Sequence, residues 1–97
     1  AANVNYRFGE LDLVMDTDDA IVFVEVRFRR DTRFGGGTAS VTPAKQRRIA
    51  QAASAWLTAN PRQARRPCRF DVVAISGSES APNIEWIQNA FTLDDLA

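Results

Sequence analysis

The chain has 97 residues, of which 45% are hydrophobic and 25% charged, a composition typical of a single globular domain. No apolar run approaches the roughly 20 residues that a membrane-spanning helix needs, so a transmembrane role is excluded. With no histidine and one cysteine, the chain cannot build a Ser-His-Asp or Cys-His catalytic site or a Cys/His zinc site. No signal peptide pattern opens the chain, and one cysteine cannot form an internal disulfide, so we expect a cytoplasmic location.

The formal net charge of zero conceals three blocks of alternating sign. Residues 1–26 hold six acidic side chains and one basic, residues 27–69 hold eleven basic and one acidic, and residues 70–97 hold five acidic and none basic. The central block predicts a basic face, and basic faces most often bind phosphate groups. The alternative is a solvated surface that keeps the protein soluble.

The first two predicted elements are strands that form an antiparallel pair. Residues 9–15 alternate between polar and apolar side chains, which places the apolar ones on one face and Glu10 and Asp12 on the other. Residues 20–28 are rich in β-branched and aromatic side chains, which favours a second, more deeply buried strand. The short acidic turn at 16–19 makes the two strands neighbours.

The next elements are a loop and a helix. Residues 29–41 contain three arginines and three consecutive glycines, which indicates a surface loop. Thr42 can cap a helix and Pro43 suits its first position, so we predict a helix from there to about Thr58. Its apolar residues recur at helical spacing: Ile49, Ala52, Ala53, Trp56 and Leu57.

Two further strands are predicted after the helix. Residues 69–75 form the third, and because a helix separates it from the second strand, we expect the two to run parallel. Residues 84–88 form the fourth, antiparallel to the third, and residues 90–97 have no defined pattern. Asp71 in the third strand either joins an acidic site or pairs with an arginine.

The predicted architecture is α/β, a mixed four-stranded sheet in the order ββαββ with one main crossover helix, in a single domain over residues 1–97. One helix of about 17 residues cannot cover both faces of such a sheet. We therefore expect either a helix outside this sequence or a second copy of the chain, in a homodimer, to cover the other face.

The register of the first two strands decides whether the acidic side chains meet. An even-length turn places Glu10 opposite Glu25. It also places Asp12 opposite Phe23, so that the three acids share one face with Arg27. Such a cluster destabilises a sheet, whereas Mg²⁺ or Mn²⁺ binds hard oxygen ligands and can activate water at a phosphodiester. The alternative is that Arg27 forms salt bridges on a solvated face and catalyses nothing.

Five blocks of the sequence together resemble the YraN-like family of small, uncharacterised bacterial proteins. The blocks are Gly9–Leu13, Val22–Arg27, Val41–Arg48, Arg69–Ile75 and Ile84–Phe91. The resemblance runs along nearly the whole chain. That family in turn resembles the PD-(D/E)XK nuclease superfamily and archaeal Holliday-junction resolvases, which implies a restriction-endonuclease-like core.

The resemblance also implies the site residues. Asp12 and Glu25 would hold Mg²⁺ or Mn²⁺ together with the backbone carbonyl of Val26, with Glu10 as an accessory carboxylate. Gln46 at the helix start would be a further site residue.

The sequence departs from the family pattern in two places. The superfamily pattern ends in lysine where Arg27 stands, and a guanidinium can stabilise a phosphate but cannot act as a base. The helix with an additional acidic residue that precedes the Gly-Glu-Leu-Asp strand in relatives has no counterpart in this sequence.

The sequence therefore predicts a cytoplasmic protein with a nuclease-like fold that binds nucleic acid, DNA rather than RNA, and does not bind membranes. Less directly, it predicts an endonuclease that cleaves phosphodiester bonds at Asp12, Glu25 and Arg27 with a divalent metal. The alternative is a catalytically silent binding or assembly module that retains the fold. The residues expected to hold the nucleic-acid backbone are Arg29, Arg30, Arg33, Lys45, Arg47 and Arg48.

Overall fold

A computed structural model describes residues 1–7, 9–28, 41–78 and 80–91. In these residues the elements are β1 (Ala2–Tyr6), β2 (Gly9–Asp16), β3 (Ile21–Phe28), α1 (Pro43–Ala59), β4 (Cys68–Gly77) and β5 (Pro82–Phe91). The strands form one sheet in the order β1-β2-β3-β4-β5, in which β3 and β4 are parallel and the other neighbours antiparallel. The prediction of a mixed α/β sheet with a helix between two parallel strands is confirmed.

The prediction of four strands is wrong, because β1 adds a fifth. It pairs with β2 from Ala2 opposite Leu13 to Tyr6 opposite Gly9. Two of its five residues are asparagine, which is depleted in strands, so local propensity gives no signal for it. The pairing with β2 supplies the stability that the segment itself lacks. The last strand also extends beyond the predicted 84–88 to Phe91, while residues 92–97 lie outside the described residues.

The helix begins and ends close to where its capping residues predict. The Oγ1 atom of Thr42 accepts a hydrogen bond from the backbone N–H of Lys45 at 3.2 Å. At the other end, the backbone N–H of Asn60 donates to the carbonyl of Leu57 at 3.1 Å. Within the described part of the chain, no helix is long and apolar enough to cross a membrane. The helix buries Ile49, Ala52 and Ala53 against the sheet.

A row of aromatic rings fixes the helix to the centre of the sheet. Phe23 on β3 meets Trp56 of α1 edge to face, with ring centroids 5.9 Å apart. Phe23 also stacks on Phe70 of β4 at 5.5 Å, and Phe70 stacks on Phe91 of β5 at 4.8 Å. Such pairs contribute about 0.5–1.5 kcal/mol each beyond the area that they bury. The row therefore ties three strands and the helix into one core.

Asp71 holds an irregularity between the last two strands. The register of β4 and β5 shifts beside it, and Asn89 adopts a φ of 52°. The Asp71 side chain, which is buried, accepts hydrogen bonds from the backbone N–H of Asn89 at 2.9 Å and from the indole N–H of Trp86 at 2.8 Å. It also forms an ion pair with Arg69 at 3.1 Å. Of the two roles left open for Asp71, pairing with an arginine is the one observed.

The sheet face away from α1 carries exposed apolar side chains. Because Phe23 faces the helix and side chains alternate along a strand, Phe28 lies on the opposite face. The register places Phe28 beside Ile75, and Ile75 beside Ile84. Among the described residues, the exposed large hydrophobic side chains are Met15, Phe28, Ile84 and Trp86.

Candidate functional site

A charged cavity of about 250 Å³ lies where β2 and β3 meet the start of α1. It brings together the three acidic residues that the sequence predicted and two of the predicted cations. The charged residues that line it are Glu10, Asp12, Glu25, Lys45 and Arg48. A site of this kind can hold a cation between carboxylates and an anion against the helix.

The turn between β2 and β3 sets the register of the acids. Asp16 pairs with Ile21, which leaves residues 17–20 outside the ladder. Thr17 closes this turn onto Ala20 through its backbone N–H at 3.0 Å and its hydroxyl at 2.8 Å, and Ala20 donates back to the hydroxyl at 3.0 Å. The turn length is therefore even, as the shared face of the acids requires.

The predicted pairs of residues across the two strands are nevertheless wrong. Phe23 lies opposite Val14 and not opposite Asp12, because Thr17 closes the ladder two residues further along β3 than predicted. Glu10 is likewise not the partner of Glu25. The ladder between β2 and β3 begins at Leu13 opposite Val24, one residue from Asp12 and Glu25, and the Asp12 carboxylate interacts with Glu25.

Asp12 also interrupts the regular alternation of β2. Leu11 and Val14 are both buried in the core although they are three residues apart, so the strict alternation predicted for residues 9–15 does not hold. The Oδ2 atom of Asp12 accepts a hydrogen bond from the backbone N–H of Val26 at 2.9 Å. In β1, the neighbour of β2 on the side away from β3, Asn3 has a φ of 52°, in the left-handed region. In a regular antiparallel ladder the N–H of Val26 would donate to a backbone carbonyl of β2. Here the side chain of Asp12 accepts this hydrogen bond instead.

Glu25 is buried, at 7% exposure, and carries two ion pairs. The Nζ atom of Lys45 lies 2.9 Å from its Oε1, and the Nη1 atom of Arg27 lies 3.7 Å from the same oxygen. Burial raises the pKa of Glu25 above its ordinary value, and the Asp12 carboxylate raises it further, while Lys45 acts in the opposite direction. A buried acid next to a second acid costs stability, so this pair is a candidate for function.

Gly9 allows the cavity to form. A Cβ atom at Gly9 would lie 2.7 Å from the carbonyl oxygen of Arg48, closer than real Cβ contacts. The start of β2 therefore approaches the α1 backbone as only glycine permits, which brings the acids of β2 next to Lys45. Gly9 belongs to the first of the five blocks that carry the family resemblance, but the sequence pattern does not indicate its close contact with Arg48.

The remaining predicted site residues either do not line the cavity or fall outside the described residues. The side chain of Gln46 donates to the carbonyl of Val41 at 3.0 Å and is not part of the cavity lining. Arg47 is exposed and does not line the cavity either. Three predicted nucleic-acid-binding residues lie outside the described part of the chain: Arg29, Arg30 and Arg33.

The donor set suits a hard cation held by few protein ligands. Among the described residues, no three His, Cys, Asp or Glu side chains are grouped closely enough to form a metal site by themselves. Asp12 and Glu25 form a pair, and Mg²⁺ is commonly bound by one or two carboxylates with water and phosphate oxygens completing its shell. The residues present therefore fit Mg²⁺ or Mn²⁺ better than a metal that needs a full set of protein ligands.

The chain matches proteins of one bacterial family. A profile described as "Uncharacterised protein family UPF0102" matches residues 1–75, which include the whole cavity. A UPF0102 protein of Xanthomonas campestris pv. campestris is 57% identical over 95 residues, 98% of this chain and 76% of the relative. UPF0102 proteins of Yersinia enterocolitica and Yersinia pseudotuberculosis are 56% and 54% identical over 95 residues, 97% of this chain and 78% of each relative. The chain therefore belongs to UPF0102, the YraN-like family of uncharacterised bacterial proteins.

Proposed function

We propose that this protein is a cytoplasmic nucleic-acid-binding endonuclease with a restriction-endonuclease-like core, which cleaves phosphodiester bonds, in DNA rather than RNA, at the Asp12–Glu25 pair. The observation that carries the proposal is the convergence of these two carboxylates at a cavity also lined by Lys45 and Arg48. Stability alone does not favour a buried acid facing a second acid. A divalent cation reverses that balance, because it is attracted to both carboxylates.

Asp12 and Glu25 would hold Mg²⁺ or Mn²⁺, with Glu10 on the rim of the cavity as an accessory carboxylate. The backbone N–H of Val26 points toward Asp12, and in an extended strand the carbonyl of the same residue faces the same neighbouring strand. A carbonyl of Val26 on the β2 side would complete the ligand set that the family resemblance implies. When bound, the metal would activate water and neutralise charge on the reacting phosphate.

The cations of α1 would bind the nucleic-acid backbone. Lys45 and Arg48 are one turn apart on the helix, and both line the cavity that holds the acids. Arg27 adds a third positive charge beside Glu25. A phosphate at the mouth of the cavity would contact these cations while its scissile bond lies next to the carboxylates.

One observation favours a second candidate, a binding or assembly module without catalysis. Lys45 and Arg27 both lie within ion-pair distance of Glu25, so the acid pair can persist as a structural salt-bridge cluster. Metal binding distinguishes the two candidates, since a structural cluster has no need of a divalent cation.

The test is a titration with Mn²⁺ followed by cleavage of branched and single-stranded DNA. We expect Mn²⁺ binding and metal-dependent nicking by the wild type, and loss of both in Asp12→Asn and Glu25→Gln. Asp12→Asn keeps an acceptor for the Val26 N–H, so it should preserve the fold. Asp19→Asn, in the exposed turn, is the matched control and should behave as wild type. Absence of Mn²⁺ binding at millimolar concentration would support the silent module.

A further inference from the structure

A second cavity, of about 300 Å³, lies beside Phe28 on the sheet face away from α1. It is lined by residues of β1, β2 and β3, four of them apolar and two polar: Ala2, Asn3, Asp12, Leu13, Val26 and Phe28. Its volume is at the lower end of the range for small-molecule sites, which suits a single ring system with its substituents.

Asp12 connects this cavity with the charged one, because it belongs to the lining of both. Its Oδ2 atom accepts from the backbone N–H of Val26, and the N–H groups of a strand point along the sheet toward the neighbouring strand. The carboxylate of Asp12 therefore lies between β2 and β3, close to the plane of the sheet. A substrate with its phosphate at the acid pair can place an attached group in the second cavity.

Phe28 gives the second cavity an exposed aromatic surface. Its side chain is 79% exposed, the highest value among the large hydrophobic side chains of the described residues. An exposed ring gains little from the core, whereas nucleobases stack on such rings irrespective of sequence. Phe28 lies two residues beyond Val26 on β3, about 7 Å along the strand, which one nucleotide can span between its phosphate and its base.

We propose that the second cavity binds one unpaired nucleobase of the substrate, stacked on Phe28, while the adjacent phosphate lies at the Asp12–Glu25 pair. The assignment rests on the nucleic-acid binding of the proposed function, but not on cleavage. A base inside a duplex is already paired and stacked, so the substrate class is single-stranded or branched nucleic acid with an unpaired base beside the bound phosphate.

The lining of the cavity matches the two sides of a base. The apolar residues Ala2, Leu13 and Val26 suit its ring faces. Asn3 supplies an amide, which both donates and accepts hydrogen bonds and can pair with the polar edge of any base. The backbone at Asn3 has a φ of 52°, a conformation that asparagine adopts more readily than most residues.

The charge near the cavity also favours nucleic acid as the occupant. The sequence continues from Phe28 directly into Arg29 and Arg30, which the sequence predicts to hold the nucleic-acid backbone and which lie outside the described residues. Proteins that bind single strands combine such cations with exposed aromatic rings.

Binding of labelled oligonucleotides, measured by fluorescence anisotropy with Ca²⁺ in place of Mn²⁺, tests the assignment without relying on cleavage. The two probes are a single-stranded oligonucleotide and a strand of equal length with abasic sites throughout, so both carry the same backbone charge. We expect wild type to bind the abasic strand at least about 5-fold more weakly. Phe28→Ala should bind the two probes within about 2-fold of each other, and Phe28→Tyr, which keeps the ring, should behave as wild type.

The matched control is Ile84→Ala. Ile84 is an exposed apolar residue on the same sheet face that does not line the cavity, so this variant should keep the preference of wild type for the strand with bases. Because Phe28 and Ile84 are both exposed, their replacement should leave the melting temperature within a few degrees of wild type.

The outcomes separate this assignment from the proposed function. A wild type that binds neither probe overturns nucleic-acid binding and the assignment with it. A Phe28→Ala variant that keeps the wild-type preference for bases overturns the assignment alone, as does an equal loss of that preference in Ile84→Ala. Sedimentation that shows a dimeric wild type and a monomeric Phe28→Ala also overturns it, because a second copy of the chain would then occupy the face.

Discussion

Gly9→Ala is the substitution whose effect follows most directly from the geometry. The new methyl carbon would lie 2.7 Å from the carbonyl oxygen of Arg48 and 3.2 Å from its carbonyl carbon. Both atoms belong to the α1 backbone, so the helix and β2 must move apart by several tenths of an ångström. Overpacking of this kind costs about 1–3 kcal/mol. For a domain of this size, each kcal/mol lowers the melting temperature by about 4–8 °C.

The same displacement separates Lys45 from Glu25, so Gly9→Ala should weaken Mn²⁺ binding and DNA cleavage as well as stability. The control is Gly77→Ala, where a Cβ would lie 2.7 Å from the carbonyl of Ala81 and the backbone φ is 83°. This variant should lose comparable stability without a change in metal affinity, because Gly77 lies at the end of β4, well beyond Val72, the β4 residue that pairs with Glu25. Thermal unfolding and Mn²⁺ titration measure both quantities. Equal metal affinity in wild type and Gly9→Ala would refute the reasoning.

Three further predictions concern single side chains. Because the pKa of Glu25 is raised in the folded protein, the free energy of unfolding should fall as pH rises from about 4.5 through that raised pKa, and urea titrations of Glu25→Gln should lack this decline. Asp71→Ala leaves the indole N–H of Trp86 and the backbone N–H of Asn89 without their acceptor, so it should lower the free energy of unfolding by about 1–3 kcal/mol. Its affinity for Mn²⁺ should stay unchanged, and a loss of that affinity would place Asp71 in the site. Arg47→Met should reduce the slope of log K against log salt for DNA binding by about one, and an unaltered slope would remove this residue from the interface.

The helix was predictable because its signals are local. Thr42 and Pro43 stand next to each other at its start, and the spacing of Ile49, Ala52 and Ala53 marks its buried face. Each of these features acts within a few residues along the chain. By contrast, β1 has no local signal, because its stability comes from its pairing with β2.

The candidate site was predictable in composition but not in geometry. Glu10, Asp12 and Glu25 all line the cavity, as predicted, although the regular alternation that predicted a shared face breaks between Leu11 and Val14. The exact register depends on three hydrogen bonds between Thr17 and Ala20, which no alternation pattern contains.

Contacts between distant segments were also missed. The contact of Lys45 with Glu25 depends on how the helix packs on the sheet, and the sequence assigned Lys45 only to the nucleic-acid backbone. The hydrogen bond from Val26 to Asp12 and the break in alternation that accompanies it are likewise set by packing between strands.

A crystal soaked in Mn²⁺ tests the convergence of the two carboxylates most directly. We expect an anomalous peak between the side chains of Asp12 and Glu25, at about 2.0–2.2 Å from an oxygen of each, typical of a small hard divalent cation. The Asp12→Asn variant treated in the same way should show no peak there. Wild-type crystals without anomalous density between the two side chains, at Mn²⁺ concentrations that saturate ordinary magnesium enzymes, would contradict the account.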